Sequence, residues 1–296
     1  MNKGYLYFLT SMIGLPFCDY FAQILLKHSY DLYEIGLGRF FIQALLIILI
    51  MLYMKLPMLI TFTRDLIPKM IMAVSWIGLT IGFYESLKYT SISIALSILF
   101  TAPLLTIISS AVILKQPISK NNIIACIFGL IGTLIIVRPA SDDFNVGALY
   151  SLIGAVSFSA MLIISHKYKK VNPYETQLFS ASFSVIFYLM LIKFTVGEIL
   201  IPTDFDFVKN IIPLGLLGGV FYALVQISHK YNTSQQLAPL QYIEIVSALL
   251  IDYFLVGIIP DFTTWLGISM ILMSGLIITG KIKHNFLSLI YLKFKL

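Results

Sequence analysis

Four charged side chains lie inside long apolar stretches of this chain: Asp19, Arg39, Glu244 and Asp252. A charge at the centre of a membrane-spanning helix costs about 2.5 to 3.5 kcal/mol on insertion scales, so each one needs a partner, water or a function. A carboxylate can bind a cationic group or carry a proton, and a guanidinium can bind a carboxylate. These four residues are therefore the first candidates for chemistry inside the membrane.

The depth of each charge follows from a helical rise of about 1.5 Å per residue. Asp19, Arg39 and Asp252 come out roughly 20 to 23 Å from one membrane boundary, and Glu244 roughly 10 Å from it. Three charges at one depth can cluster, and one aspartate then has no arginine partner. Two interpretations stay open. Arg39 pairs with an aspartate only to hold helices together, or Asp19, Glu244 and Asp252 bind a cation or carry a proton during a functional cycle.

Four aromatic side chains extend the predicted site, because Trp76, Tyr84, Tyr222 and Tyr242 could stack on a planar or cationic ligand. The chain has 17 tyrosines and 22 phenylalanines, so packing or the interfacial aromatic belt is the competing interpretation for each of them. The predicted binding set has eight members. They are Asp19, Arg39, Trp76, Tyr84, Tyr222, Tyr242, Glu244 and Asp252.

Motifs for catalysis or metal binding are not found in the sequence. It contains no His-Glu-x-x-His segment, no serine nucleophile elbow and no paired-aspartate metal motif. The segment Ile-Ser-His-Lys-Tyr occurs twice, ending at Tyr168 and Tyr231, but its histidines are expected beside lysines that anchor helix ends. The net charge of +6 is spread over helix ends and forms no patch for nucleic acid. We expect no catalytic residue, metal, cofactor or nucleic-acid partner.

Ten long apolar stretches must position these residues. With 59% hydrophobic and 11% charged residues, the 296-residue chain is typical of an integral membrane protein. About 20 apolar residues cross a hydrocarbon core, and only helices satisfy the backbone there. The sequence therefore predicts an all-α membrane protein with ten transmembrane helices. They are placed at 4–26, 34–54, 66–87, 91–114, 121–137, 147–166, 174–193, 210–229, 237–257 and 262–280.

Lysine and arginine residues are concentrated in alternate connecting segments, those on the side of the N-terminus. Cytoplasmic segments of membrane proteins carry this excess, so both termini are predicted to be cytoplasmic, in a multi-pass protein of the cell (inner) membrane. The basic tail 281–296 is expected to rest on the anionic inner leaflet. The expected partners are the lipid bilayer and a small-molecule substrate, and homodimerisation is left open.

The chain repeats itself with an offset of 141 to 143 residues, which places Tyr33 and Glu34 on Tyr174 and Glu175. An odd number of spans in each copy forces the two copies to face opposite ways across the membrane. Sites in such proteins lie between the halves, near the bilayer midplane. The predicted organisation is two inverted five-helix repeats, 1–140 and 141–280, followed by the basic cytoplasmic tail 281–296.

The order of short motifs resembles the drug/metabolite transporter superfamily, and within it the EamA-type ten-helix transporters. The resemblance covers residues 4–280 and rests on six segments. They are Gly38 to Phe40, Leu87 to Ser91, Pro103, Leu114 to Ser119, Gly129 to Gly132 and Val137 to Pro139. Two positions depart from the family pattern. Gln116 stands where the family often has an acidic residue, and Tyr242 to Ile245 stand where it often has a proline. At the second position the chain lacks the proline that usually breaks the ninth helix, and it has Glu244 near that point.

This resemblance implies a secondary transporter for a small polar metabolite that works by alternating access between the repeats. The sequence has no nucleotide-binding loop, so transport is expected to use a proton gradient or solute exchange. The interior acids favour a zwitterionic or cationic substrate, and members that resemble this chain carry amino acids or S-adenosylmethionine. The competing functions are a membrane-embedded enzyme and a non-transporting assembly or lipid-handling protein.

Overall fold

A computed structural model describes residues 2–58, 65–89, 92–138, 146–195, 202–251, 253–254, 257, 259 and 261–278. These residues form helices and connecting segments, and none of them lies in a strand. The long helices begin and end within about five residues of the predicted spans. The α-helices, long and short, are α1 Lys3–Lys27, α2 Leu32–Tyr53, α3 Leu66–Ser86, α4 Ile92–Leu99, α5 Ala102–Ile113, α6 Lys120–Val137, α7 Val146–Lys167, α8 Pro173–Thr195, α9 Phe205–Ser228, α10 Ser234–Leu237, α11 Ile243–Ile251 and α12 Phe262–Ile278.

Eight helical stretches are long and apolar enough to cross a membrane, by length and composition. Helix α12 is shorter, and the predicted ninth span is divided into several pieces, so the count of ten spans stays a prediction. Three predicted features lie outside the described residues. They are the repeat boundary between 140 and 141, the tail 281–296 and the side chain of Asp252.

Successive long helices run in opposite directions, which gives the bundle two ends. We call them the Lys3 end, where α1 begins, and the Lys27 end, where α1 stops. At the Lys3 end, the Lys69 ammonium lies 3.3 Å from the Glu175 carboxylate. At the Lys27 end, the Arg138 guanidinium donates to both Asp261 carboxylate oxygens, at 2.8 and 2.6 Å. Each of these ion pairs joins the first predicted repeat to the second.

The two predicted repeats are interleaved. Helix α1 packs on α9, α3 on α7, α6 on α12, and α2 on both α8 and α9. Glycines permit the closest approaches. A Cβ added to Gly82 would lie 2.6 Å from the backbone nitrogen of Gly154, and one added to Gly132 would lie 2.7 Å from the Gly267 carbonyl oxygen. Since small residues let transmembrane helices approach backbone to backbone, these positions fix the contacts between α3 and α7 and between α6 and α12.

The fourth predicted span is interrupted near its middle. Helix α4 ends at Leu99 and α5 begins at Ala102, with Pro103 in the first turn of α5. Proline has no N–H, so the helical hydrogen bond from residue 103 to the Leu99 carbonyl cannot form. The backbone N–H and the hydroxyl of Thr101 both donate to the Ile98 carbonyl, at 3.0 and 2.7 Å. These bonds satisfy part of the backbone at the interruption.

The ninth predicted span is also interrupted, although the family's proline is missing at Tyr242 to Ile245. A turn of helix, α10, leads into a 3-10 helix, Ala238–Tyr242, before α11 begins. Pro239 lies in the first turn of that 3-10 helix, so the chain carries its helix-breaking proline three residues before Tyr242. The Tyr242 ring stacks on Phe100, with ring centroids 6.2 Å apart. The two interrupted helices therefore meet at their breaks.

Buried apolar residues form two clusters. The larger lies among α1, α2, α3, α7, α8 and α9 and contains Trp76, Tyr84 and Tyr222 of the predicted site. The smaller lies among α5, α6, the 3-10 helix, α11 and α12 and contains Tyr242. The predicted aromatic residues are thus divided between two packing regions.

Candidate functional site

Arg39 lies on α2, surrounded by aromatic rings. Its guanidinium carbon is 5.5 Å from the ring centroid of Phe40, 5.8 Å from that of Trp76 and 5.7 Å from that of Tyr222. Distances below about 6 Å allow cation–π attraction. Arg39 is only 6% exposed, and its Nε finds no hydrogen-bond partner among the described residues. The guanidinium is therefore buried and stabilised by rings, with donor capacity left over.

One carboxylate, that of Asp19, stands near this guanidinium, and a second, that of Glu244, stands near Asp19. Asp19 on α1 interacts electrostatically with Arg39, and Glu244 in the first turn of α11 interacts electrostatically with Asp19. Within the described part of the chain, the ion pairs are formed by other residues, and none joins Arg39 to a carboxylate. The direct pair with Asp19 that the sequence allowed is therefore not formed, and both carboxylates keep their capacity to bind a cation.

Trp76 and Tyr84 on α3, and Tyr222 on α9, complete this group. The rings of Trp76 and Tyr222 stand perpendicular with centroids 3.9 Å apart, and Tyr84 interacts electrostatically with Asp19 and Arg39. The structure thus brings together six of the eight predicted site residues. We call them the Arg39 cluster: Asp19, Arg39, Trp76, Tyr84, Tyr222 and Glu244.

The two other predicted site residues are not part of this cluster as described. Tyr242 is fully buried in the smaller core, where it stacks on Phe100 and lies against Gly129. Asp252 lies outside the described residues. Tyr242 therefore borders the interruption of the ninth span.

Glycines on α9 make room for the guanidinium. A Cβ added to Gly218 would lie 3.7 Å from the Arg39 Nε, in the space beside the cation. A Cβ added to Gly215 would lie 2.5 Å from the Ile42 Cβ, so this glycine lets α9 approach α2 closely. The sequence analysis did not identify either residue. Small residues three or four positions apart within an apolar span are the signal that could have found them.

A buried ion pair joins the repeats at the Lys3 end. The Lys69 side chain is fully buried, and the Glu175 side chain with which it pairs is 12% exposed. Beside this pair, a small open cavity of about 20 Å³ is bordered by neighbours of both residues, including Pro68 and Thr176, and by Gln226. In the sequence, Lys69 is one of the basic residues near helix ends that indicate topology. Its burial could not be inferred from its place near a helix end.

Exposed polar contacts join the repeats at the Lys27 end. Asp261 accepts hydrogen bonds from Thr264 and Arg138, which hold the pKa of its carboxyl well below the ordinary value. Asp204 accepts a hydrogen bond from the Tyr30 hydroxyl, which lowers the pKa of Asp204 and raises the pKa of Tyr30 to about 12. Both carboxylates are therefore ionised at neutral pH, so these contacts persist there.

The two repeated histidine segments meet at the Lys3 end. The ring centroids of His166 and His229 are 6.4 Å apart. His229 lies at the end of α9 beside Lys230 and is fully buried, with Nδ1 2.8 Å from the Val225 carbonyl oxygen. Within the described ranges, histidine, cysteine and acidic residues form no group of three or more that could hold a metal ion.

Known proteins with similar sequences are membrane transporters. The sequence model of the EamA-like transporter family matches this chain twice, at residues 2–138 and 145–280. The S-adenosylmethionine uptake transporter of Rickettsia bellii is 25% identical over 92% of this chain and 91% of its own length. That of Rickettsia prowazekii is 23% identical over 93% of this chain and 92% of its own length. The riboflavin transporter of Vibrio cholerae is 27% identical over 62% of this chain and 61% of its own length.

One solved crystal structure shares the fold, with a TM-score of 0.81 over 94% of this chain and 98% of that chain. At 16% sequence identity this likeness shows the fold alone. The double match to the family covers nearly the whole chain and confirms the resemblance seen in its motifs. It also favours a small-metabolite transporter over an enzyme. The chain therefore belongs to the EamA-like transporter family.

Proposed function

We propose that this chain is a secondary transporter for a zwitterionic or cationic small metabolite, such as S-adenosylmethionine or an amino acid. Small-metabolite transport follows from the family and from its named relatives. The substrate class is inferred from one observation. Two half-buried carboxylates, Asp19 and Glu244, lie with one buried guanidinium in an aromatic site, without a direct ion pair between Arg39 and Asp19.

Arg39 is the proposed binding group for a substrate carboxylate. A guanidinium matches a carboxylate in geometry and can donate two parallel hydrogen bonds. The surrounding rings hold the cation without occupying its donors, and Nε has no partner among the described residues. A substrate carboxylate could therefore bind without first displacing a protein carboxylate.

Asp19 and Glu244 are the proposed binding groups for an ammonium or sulfonium. When both are ionised, their two negative charges exceed the single positive charge of Arg39, and a cationic substrate group then balances the site. The faces of Trp76 and Tyr222 add cation–π attraction. A neutral substrate such as riboflavin would leave this excess of negative charge without a partner, and we therefore favour the substrate named for the Rickettsia relatives.

Alternating access is the mechanism that fits two inverted repeats. With both termini cytoplasmic, the Lys3 end faces the cytoplasm, and the Lys69–Glu175 pair helps to close it. Discontinuous helices near the midplane form substrate sites in many transporters, and the fourth and ninth spans are interrupted here. We propose Glu244, Asp19 and Asp252 as proton carriers, and Tyr242 as a residue that lines the path at the interruption.

Uptake into proteoliposomes tests this proposal. Labelled S-adenosylmethionine, an amino acid and riboflavin are offered to the purified chain at imposed and collapsed pH gradients. We expect saturable uptake of S-adenosylmethionine or the amino acid and none of riboflavin. If neither accumulates under a gradient or by exchange, the proposed substrate class is wrong.

The same assay applied to Glu244→Gln tests the proton-carrying role. The amide cannot release a proton, so uptake should lose its dependence on the imposed gradient, while exchange of internal for external substrate continues. Asp206→Asn, at an exposed position of the Lys27 end, is the matched control and should keep the wild-type dependence. If Glu244→Gln takes up substrate at the wild-type rate at every pH, Glu244 has no part in the coupling mechanism.

A further inference from the structure

Helix α8 carries a row of buried polar side chains that the Arg39 cluster does not include. We call Gln177, Ser180, Ser184 and Tyr188 the α8 stripe. They lie three or four residues apart, so they share one face of the helix. All four are fully buried. Within the described residues, the Gln177 side-chain nitrogen and the hydroxyls of Ser180 and Ser184 have no hydrogen-bond partner. The Tyr188 hydroxyl faces the side chain of Thr80 but forms no hydrogen bond of normal geometry.

These hydroxyls differ from other buried hydroxyls of the bundle. Ser75, Thr106 and Ser165 each donate to the backbone carbonyl four residues earlier in their own helix. A buried polar group without a partner is unfavourable, so a functional ligand or water is its usual explanation. Unpartnered hydroxyls also occur at Ser274 on α12 and at Ser151 and Ser159 on α7, but on α8 the unpartnered side chains recur every three or four residues over about three turns.

The α8 stripe faces α2, the helix that carries Arg39. The Gln43 amide nitrogen donates to the Gln177 side-chain oxygen at 2.6 Å, and this bond leaves the Gln43 oxygen and the Gln177 nitrogen without partners. A Cβ added to Gly36 would lie 2.7 Å from the Tyr188 ring, so the two helices are in contact along the stripe. Gln43 and Gln177 thus place unpartnered groups of both helices in one interface between the repeats.

The repeat places different chemistry on equivalent faces of these two helices. An offset of 141 residues places Arg39 on Ser180 and Gln43 on Ser184. Helix α2 therefore supplies a charge, whereas α8 supplies neutral groups that can both donate and accept hydrogen bonds. At a rise of 1.5 Å per residue, the stripe extends over roughly 16 Å. This length suits a small metabolite with several polar groups.

We propose that the α8 stripe binds the neutral polar part of the substrate while the Arg39 cluster binds its charged part. Neutral hydroxyls and amides recognise hydroxyl groups and ring nitrogens, so the matching substrate part is a hydroxylated heterocycle of the nucleoside kind. The cavity at the Lys3 end is lined by Thr176, the residue before Gln177, so the stripe begins near this cavity. This inference rests on the proposed function.

Competition experiments on the variant Ser180→Ala/Ser184→Ala test the stripe. Uptake of labelled S-adenosylmethionine is measured with adenosine or methionine as the inhibitor. Adenosine inhibition should weaken about tenfold, since two neutral hydrogen bonds are lost, while methionine inhibition stays at the wild-type level. The matched control is Ser110→Ala, because Ser110 is also fully buried but donates to its own helix at Ile107. It should behave like the wild type toward both inhibitors.

Thermal unfolding separates a binding role from a structural one. Without substrate, the double variant should keep or exceed the wild-type Tm, since the removed hydroxyls have no partner. A lower Tm with equal weakening of both inhibitors would assign the stripe to packing and overturn the inference, and so would unchanged adenosine inhibition.

Failure of the proposed function gives a different result, namely no uptake of S-adenosylmethionine or amino acids by the wild type. The stripe is then tested in detergent, where adenosine should raise the Tm of the wild type more than that of the double variant. If adenosine does not raise the Tm, or raises it equally in both proteins, the inference that the stripe binds the neutral part of the substrate is wrong, whatever the transport result.

Discussion

At the scale of single residues, Arg39 shows how a charge can stay in an apolar core without an ion pair. Insertion of a charge at the centre of a span costs about 2.5 to 3.5 kcal/mol. A desolvated cation–π contact contributes up to about 2 kcal/mol, and three rings lie within 6 Å of the guanidinium. The rings can therefore offset the cost, and the donors of Arg39 stay available.

Substitution of Arg39 distinguishes a binding role from a structural one. In Arg39→Gln we expect KM for a zwitterionic substrate to rise about 10- to 100-fold, because charge-assisted hydrogen bonds contribute about 1.5 to 3 kcal/mol. The Tm without substrate should stay near the wild-type value, since Arg39 has no ion-pair partner among the described residues. Lys170→Gln, which removes an exposed cation at the Lys3 end, is the control and should keep the wild-type KM. A large loss of Tm with an unchanged KM would make Arg39 a structural residue.

The sequence could identify six residues that lie together in the structure, because polar residues inside apolar spans have few other roles. Their convergence on Arg39 rather than on an Arg39–Asp19 pair could not be predicted, since it depends on rings from three helices. The α8 stripe was overlooked for a similar reason. Serine is common in transmembrane helices, and its hydroxyl normally donates to a backbone carbonyl of the same helix, as that of Ser75 does. Only the structure shows that Ser180 and Ser184 do not.

At the scale of helices, the lengths of apolar runs predicted the spans well, because the bilayer sets a minimum length for each. The interruptions were harder to predict. Pro103 was recognised as a family proline, but the break in the ninth span depends on Pro239, which lies three residues before the expected position. Hydrophobic periodicity could not show which helix faces meet, because helices in lipid are apolar on nearly all sides.

The contact between α3 and α8 provides the test at this scale. Removing one partner of a buried ion pair costs about 3 to 5 kcal/mol of stability. Only the form closed at the Lys3 end contains the Lys69–Glu175 pair, so this form is destabilised relative to the open one. We expect Lys69→Glu and Glu175→Lys each to shift the protein toward a form open at this end, and the double variant Lys69→Glu/Glu175→Lys to restore closure. The measured quantity is the rate at which a membrane-impermeant thiol reagent labels Ser165→Cys in the cavity.

Lys170→Glu is the matched control for this charge reversal, since Lys170 is exposed near the same end. It should leave the labelling rate at the wild-type level. Equal labelling of all variants would show that the Lys69–Glu175 pair does not control access. Faster labelling in the double variant than in either single variant would contradict a direct interaction between the two charges.

At the scale of the whole molecule, the repeats are joined by different chemistry at the two ends. Glu175 pairs with buried Lys69 at the Lys3 end. Its equivalent in the first repeat, Glu34, instead accepts a hydrogen bond from the Asp31 backbone N–H at 3.3 Å. Exposed ion pairs contribute little, about 0 to 1 kcal/mol, so the Arg138–Asp261 contact is a weak closure. The inverted repeats thus share a fold, but opening should be easier at the Lys27 end.

This account requires equivalent segments of the two repeats to lie on opposite sides of the membrane. Ser119 precedes α6, and Ile259 lies before α12 and is exposed. In a background without Cys18 and Cys126, a membrane-impermeant maleimide should label Ile259→Cys in intact cells and Ser119→Cys only in inverted vesicles. Labelling both from one side would mean that the repeats are not inverted, and rocking of one half against the other could then no longer expose a central site alternately. If instead Ser119→Cys is labelled in intact cells and Ile259→Cys only in inverted vesicles, the repeats are still inverted, but the Lys3 end lies outside the cell.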